Sequence, residues 1–166
     1  MKKHYKGAIM KTAVVFYSLD GNCDLVAKEI KSLLNADLIQ LHTKNEKNRR
    51  GIIKFFWAIG MVLKKKPPLK PYTFDPSAYD LIIIGAPVWA SSPASPLRTF
   101  LSETPITGKK TAIFVCHAGG MGYGLEKFRA MLTGNTIIAE ADFLNAVKTN
   151  KDELKQQIEN WVKDFK

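Results

Sequence analysis

Short apolar runs that alternate with amphipathic segments predict an α/β protein with a doubly wound parallel sheet. Three observations carry the prediction. Thr12–Tyr17 (TAVVFY) is a β-branched, apolar run that ends in the turn-prone Ser18-Leu19-Asp20-Gly21-Asn22 and is followed at once by a helical repeat. Leu81–Gly85 (LIIIG) is continuously apolar, the pattern of a central strand buried on both faces. Strand and helix signals then keep alternating to the end of the chain, as βαβ units do. Right-handed crossovers in such a sheet place a ligand crevice at the carboxyl ends of the strands.

The elements follow in order. Cys23–Leu34 repeats Leu25, Val26, Ile30, Leu33 and Leu34 at three- and four-residue steps and predicts the first helix. Asp37–Leu41 is the second strand and Leu81–Gly85 the third. Ser95–Leu101 reads as a short helix beginning near Pro96, Thr111–Cys116 (TAIFVC) as a strand, Gly124–Leu132 as a helix and Thr136–Phe143 as a strand. Asn150–Phe165 closes the chain as a helix. No internal repeat or low-complexity linker interrupts the series.

A length of 166 residues suits one domain with a core large enough to stand without cross-links. Cys23 and Cys116, the two cysteines, have neither CxxC nor Cys/His spacing, so no disulfide framework and no metal site is indicated. A reducing cytoplasm fits this usage. The opening residues carry Lys2, Lys3, Lys6 and Lys11 without the apolar stretch of a signal peptide, so cytoplasmic localisation is expected. Residues 1–10 read as a basic extension and 11–166 as the domain, with a basic helical insert at about 44–75.

The formal net charge is +10, and it is concentrated in two places. Residues 1–11 contribute four lysines and no acid, and 44–70 carry nine basic residues against Glu46 alone, which leaves the remaining chain slightly acidic. Local basic patches are therefore expected, not a uniformly basic nucleic-acid binder. Within the insert, Gly51–Lys66 (GIIKFFWAIGMVLKKK) predicts a helix with Ile52, Phe56, Ile59 and Leu63 along one face. Ile53, Trp57 and Met61 form a second stripe. The stripe suits burial within the domain, a homodimer contact, an edge of the substrate pocket, or an acidic or anionic membrane-surface partner reached through 44–70. Its apolar core is too short to span a bilayer.

Three loops leave the predicted carboxyl ends, and each offers chemistry that a phosphorylated planar ligand needs. Ser18-Leu19-Asp20-Gly21-Asn22-Cys23 joins a strand to a helix with small and polar residues, so backbone N–H groups can converge on an anion, with Ser18 and Asn22 as side-chain donors. Gly85-Ala86-Pro87-Val88-Trp89-Ala90 puts an indole just beyond a buried strand, where it can stack on a ring while Pro87 stiffens the approach. His117-Ala118-Gly119-Gly120-Met121-Gly122-Tyr123-Gly124 is rich in glycine and lets backbone come close to a ligand. His117 could meet or protonate that ligand or be an ordinary loop histidine. Other phosphate chemistries lack their residues. There is no P-loop, no GxGxxG opening a βαβ unit and no aspartate at the end of the third strand, where Gly85-Ala86 stand.

The order and spacing of these loops resemble the flavodoxin family. Phe16 to Cys23 are similar to its phosphate loop, Gly85 to Trp89 to its ring-stacking loop, and 117–122 to its third flavin loop; the likeness covers about residues 11–165. The resemblance implies a three-layer sandwich on a five-stranded sheet of order 2-1-3-4-5 and non-covalent flavin mononucleotide (FMN). It implies cofactor contacts from Ser18, Leu19, Asp20, Gly21, Asn22, Cys23, Pro87, Val88, Trp89, Ala90, His117, Ala118, Gly119 and Gly120. Two positions depart from the family. Cys23 stands where it usually has threonine, and Asp20 where it often does; an Asp20 turned inward would weaken phosphate binding.

Two redox roles follow from that resemblance. One is an oxidoreductase that takes hydride from NADH or NADPH and reduces a small acceptor such as a quinone. The other is a single-electron carrier docking on a redox partner protein. Carriers of the family are typically acidic, so a charge of +10 favours the first and predicts a less negative flavin potential. A non-redox basic module binding membrane or nucleic acid would require the three loops to be coincidental.

Overall fold

The β-branched runs become strands, and their period-two alternation divides the apolar side chains between two cores. In a computed structural model the described residues are 10–44, 66–163 and 165. They comprise β1 (Thr12–Tyr17), α1 (Asn22–Leu34), β2 (Asp37–Leu41), a 3-10 turn (Pro76–Ala78), β3 (Leu81–Trp89), β4 (Ser92–Pro93) and α2 (Pro96–Glu103). The second half comprises β5 (Lys110–His117), α3 (Gly124–Met131), β6 (Thr136–Leu144), a second 3-10 turn (Ala146–Lys148) and α4 (Lys151–Val162).

The sheet order is β2-β1-β3-β5-β6, all parallel, with β4 attached antiparallel to β3. The five parallel strands thus have the expected order 2-1-3-4-5, and the two-residue β4 is an addition to it. Val14 and Phe16 of β1 join Ile83, Phe114 and Cys116 under α1 and α4. Val15 and Tyr17 join Ile84, Ile113 and Val115 under α2 and α3. Fully burying one such aliphatic side chain stabilises by about 1.5–3 kcal/mol, and strands buried on both faces do this twice per pleat. Gly85 lies opposite Phe16 and Phe114, and a Cβ there would overlap the Phe114 ring. On α1, Val26, Ala27 and Ile30 face the core, whereas Leu25 of the predicted apolar set is 38% exposed.

β3 runs four residues beyond the predicted end. Pairing with β1 stops at Gly85, so the later residues bond only to β5 on one side and to β4. Pro87 is tolerated because that stretch behaves as an edge, where its missing N–H leaves no ladder bond unmade. The asparagine before α4 is its cap, not its first turn: Asn150 Oδ1 accepts from the Asp152 and Glu153 amides.

The predicted helix Gly51–Lys66 lies almost wholly outside the described residues, as do residues 1–9. The stem of the insert is visible. Thr43 bridges Leu69 in antiparallel fashion, Lys44 N–H donates to the Pro68 carbonyl at 2.9 Å, and Lys70 N–H donates to that of His42 at 2.8 Å. Thr99 Oγ1 ties the returning strand to α2 through the Pro67 carbonyl at 2.7 Å. Thr43, Lys44 and residues 67–70 therefore lie together just past the carboxyl end of β2.

Candidate functional site at the carboxyl edge of the sheet

The first loop runs from the end of β1 into α1. Gly21 adopts φ +88°, a left-handed conformation that only glycine enters without strain, and it turns the chain into the helix. No side chain caps α1, so its leading N–H groups remain available at the positive end of the helix dipole. Ser18 is buried, and among the described residues its Oγ has no hydrogen-bond partner. Leaving such a hydroxyl unsatisfied costs about 1–3 kcal/mol, so a ligand acceptor at this point would recover it. Asn22 is buried beside it. Its Oδ1 accepts from the Val147 amide at 3.0 Å, a bond that leaves the side-chain N–H₂ uncommitted and ties the loop to the turn after β6.

Two other residues of this loop depart from a side-chain binding role. Asp20 is exposed, away from the buried floor. Cys23, on the inner face of α1, is fully buried in the core with Cys116 as a neighbour. Burial, reinforced by Cys116, holds the Cys23 thiol well above the usual thiol range, so it stays protonated and apolar. Only its backbone N–H belongs to the helix terminus. Leu19 is half-buried against the second core.

The second loop is a β-hairpin. Val88 pairs with Pro93 and Trp89 with Ser92, which leaves Ala90-Ser91 as a two-residue turn. Both central residues have positive φ, 47° and 57°, as a type I′ turn demands, yet neither is glycine or asparagine. Non-glycine residues held this way cost about 1–2 kcal/mol each and concentrate at functional sites. Trp89 is half-buried, with its ring edge-on to Tyr17 at a centroid distance of 5.7 Å and 86° between planes. Arg98 of α2 donates to Ser92 Oγ at 3.0 Å and steadies the returning arm.

The third loop packs on the second. A Cβ on Gly122, whose φ is +54°, would strike the Ser91 side chain, and one on Gly124 would press on Val88. Gly119 and Gly120 have open space where a Cβ would be, and with Ala118 they are exposed. His117, the last residue of β5, has Nε2 at 3.0 Å from Asp142 Oδ2 and Nδ1 against the Gly119 carbonyl oxygen. Its own carbonyl accepts from Asn145 N–H at 2.8 Å.

The structure thus gathers 18–23, 87–91 and 117–124 on one edge. A profile of flavodoxins matches residues 11–164. The chain belongs to the flavodoxin family. Among solved structures, this flavodoxin is similar to a flavoprotein in complex with FMN from Lactobacillus acidophilus NCFM: 24% identity, 93% of this chain and 99% of that one covered, TM-score 0.71. It is similar to two-electron reduced Megasphaera elsdenii flavodoxin at 21% identity, with 92% and 98% of the chains covered and a TM-score of 0.56. A WrbA-like flavodoxin from Agrobacterium tumefaciens shares 16% identity, with 90% of each chain covered and a TM-score of 0.56. No curated protein matches it by sequence.

The flavodoxin edge also holds features that reading by segment does not disclose. Asp142, the Ala90-Ser91 turn, the Ser91–Gly122 contact and the Asn22–Val147 bond each join parts whose relation depends on the fold. Alternation along Thr136–Phe143 could have singled out Asp142 as an acid near a strand's carboxyl end. Nothing in Ala90-Ser91 announces positive φ.

Proposed function

We propose that this flavodoxin binds FMN at the carboxyl edge of its sheet and works as an oxidoreductase that reduces a small acceptor such as a quinone. The carrying observation is the buried, unpartnered Ser18 hydroxyl beside the uncapped start of α1, a donor set suited to a phosphate. Ser18 Oγ, the Asn22 amide and the N–H groups of Gly21, Asn22 and Cys23 would hold that group. Trp89, with Pro87, Val88 and Ala90 around it, would flank the ring and exclude water. Ala118, Gly119 and Gly120 leave room for backbone to approach its polar edge, with His117 behind them. Leu19 and Asp20 shape the loop without a direct polar role. Bound FMN would supply reversible one- and two-electron chemistry.

The charge of +10 supports an enzyme over a carrier, since it does not complement the basic partners on which acidic carriers dock. Membership of the flavodoxin family supports single-electron transfer to a partner protein as the second reading. Among the described residues no helix is long and apolar enough to cross a membrane. Cysteine usage supports a cytoplasmic setting.

The test is the visible spectrum of the purified chain with FMN under anaerobic conditions. Flavin bands that bleach on addition of NADH or NADPH alone support the oxidoreductase. Bands that persist until a reductase protein is added favour the carrier, and failure to bind FMN overturns both.

A further inference from the structure

His117 sits between two acceptors. Asp142 Oδ2 lies 3.0 Å from Nε2, and the Gly119 carbonyl oxygen lies against Nδ1. Neither partner can donate, so only a ring carrying both protons makes both bonds. A carboxylate is the stronger acceptor, so a neutral ring keeps its proton at Nε2. Nδ1 then faces the Gly119 carbonyl lone pair to lone pair.

The strained response falls on the loop. The side chain of His117 is 10% exposed, and its backbone carbonyl is held by Asn145 N–H. Gly119 is exposed, with open space where a Cβ would stand. Asp142 is the charged side chain in contact with the ring. Ionisable groups on the neighbouring elements include Asp20 in the first loop, Cys23 on α1, Cys116 on β5, Tyr123 in the loop itself, Lys148 in the 3-10 turn after β6, and Glu140 on β6, which pairs with Arg129 of α3 at 2.6 Å. None of these is hydrogen-bonded to the imidazole among the described residues.

We propose that His117 and Asp142 are positioning residues forming a proton-dependent clamp, which holds Gly119 and thereby sets the glycine loop in the conformation that receives FMN. The proposal rests on the FMN reading. Binding is tightest when the imidazole carries two protons and weakens when it carries one.

The experiment is a flavin-fluorescence titration of wild type and His117→Gln from about pH 5.5 to about pH 8, a span that brackets ordinary histidine titration. The FMN phosphate also changes charge near the lower limit, about pH 6, but equally for both proteins. Wild type should lose about fivefold more affinity over this span than His117→Gln, the worth of one net hydrogen bond. Asp142→Asn should flatten the wild-type pH profile, because an amide can donate to Nε2 and let a neutral ring keep its proton at Nδ1 for the Gly119 carbonyl. Parallel pH profiles in wild type and His117→Gln overturn the clamp.

A flavin-free readout separates this proposal from the one it rests on. Amide exchange at Gly119 and Gly120, corrected for intrinsic rate, should accelerate with pH in wild type and not in His117→Gln. If that difference is seen while wild type binds no FMN, the proposed function falls and the clamp stands. If FMN binds without the difference, the clamp falls alone.

Discussion

The two ends of the sheet treat their polar groups in opposite ways. At the amino end Lys11, Asp80, Lys109 and Asn135 pair within the chain. Lys11 N–H donates to Asp80 Oδ2 at 2.8 Å, and Asp80 N–H donates back to the Lys11 carbonyl at 2.8 Å. Asn135 accepts from Lys109 N–H at 3.1 Å and donates to the Ile106 and Leu132 carbonyls at 2.8 and 3.0 Å. At the carboxyl end Ser18 Oγ has no partner among the described residues, α1 has no side-chain cap, and three non-glycine residues, Ala90, Ser91 and Asn145, hold positive φ. Tyr123, Leu144 and Val147 are exposed there, at 65%, 55% and 50%. One end is arranged for stability. The other carries unmet hydrogen bonds and backbone strain that a ligand can relieve, which the fold tolerates because buried strands and the satisfied end hold it together.

Substitutions at the two ends should therefore separate stability from binding. The largest effect on folding is expected from Asn135→Ala, which removes three hydrogen bonds and strands the Lys109 amide: a loss of about 2–3 kcal/mol in urea unfolding. FMN affinity should not change, and a parallel loss of binding would blur the division between the ends. Trp89→Ala should act on both. FMN affinity should fall about tenfold, in line with the worth of an aromatic stacking contact, while unfolding without flavin loses the Tyr17 edge contact, about 1 kcal/mol, and the burial that goes with it.

Ser18→Ala sharpens the contrast, since its two effects should differ in sign. Removing an unsatisfied buried hydroxyl should stabilise the flavin-free protein by about 1 kcal/mol, and the same change should weaken FMN binding. Destabilisation of the flavin-free form would mean that the hydroxyl has a structural partner. The smallest effect is expected at the hairpin. Ala90→Gly relieves positive φ but adds chain entropy to the unfolded state, so a net gain of about 0.5 kcal/mol should appear as a slightly higher melting temperature.

Much of this architecture is legible along the chain. Asp37–Leu41 is a strand with the bounds that its pattern predicts, and Thr12–Tyr17 likewise. The end of β3 is not legible, because Pro87 reads as the start of a loop and Pro87 to Trp89 become strand only where β1 stops pairing and β4 folds back. The thiol of Cys23 illustrates a second kind of limit. Its place at the start of a helix is evident, but its burial against Cys116 depends on which face of β5 meets α1.

By itself, the sequence determined the alternation of strand and helix, the central strands and the three loops, because hydrophobic period and turn chemistry act over neighbouring residues. Only the tertiary structure decided which groups meet across those loops. Asn22 reaches Val147 across 125 residues, and His117 reaches Asp142 across 25. Such contacts follow from strand order, register and pleat, which are settled when the whole sheet assembles and not within any one segment.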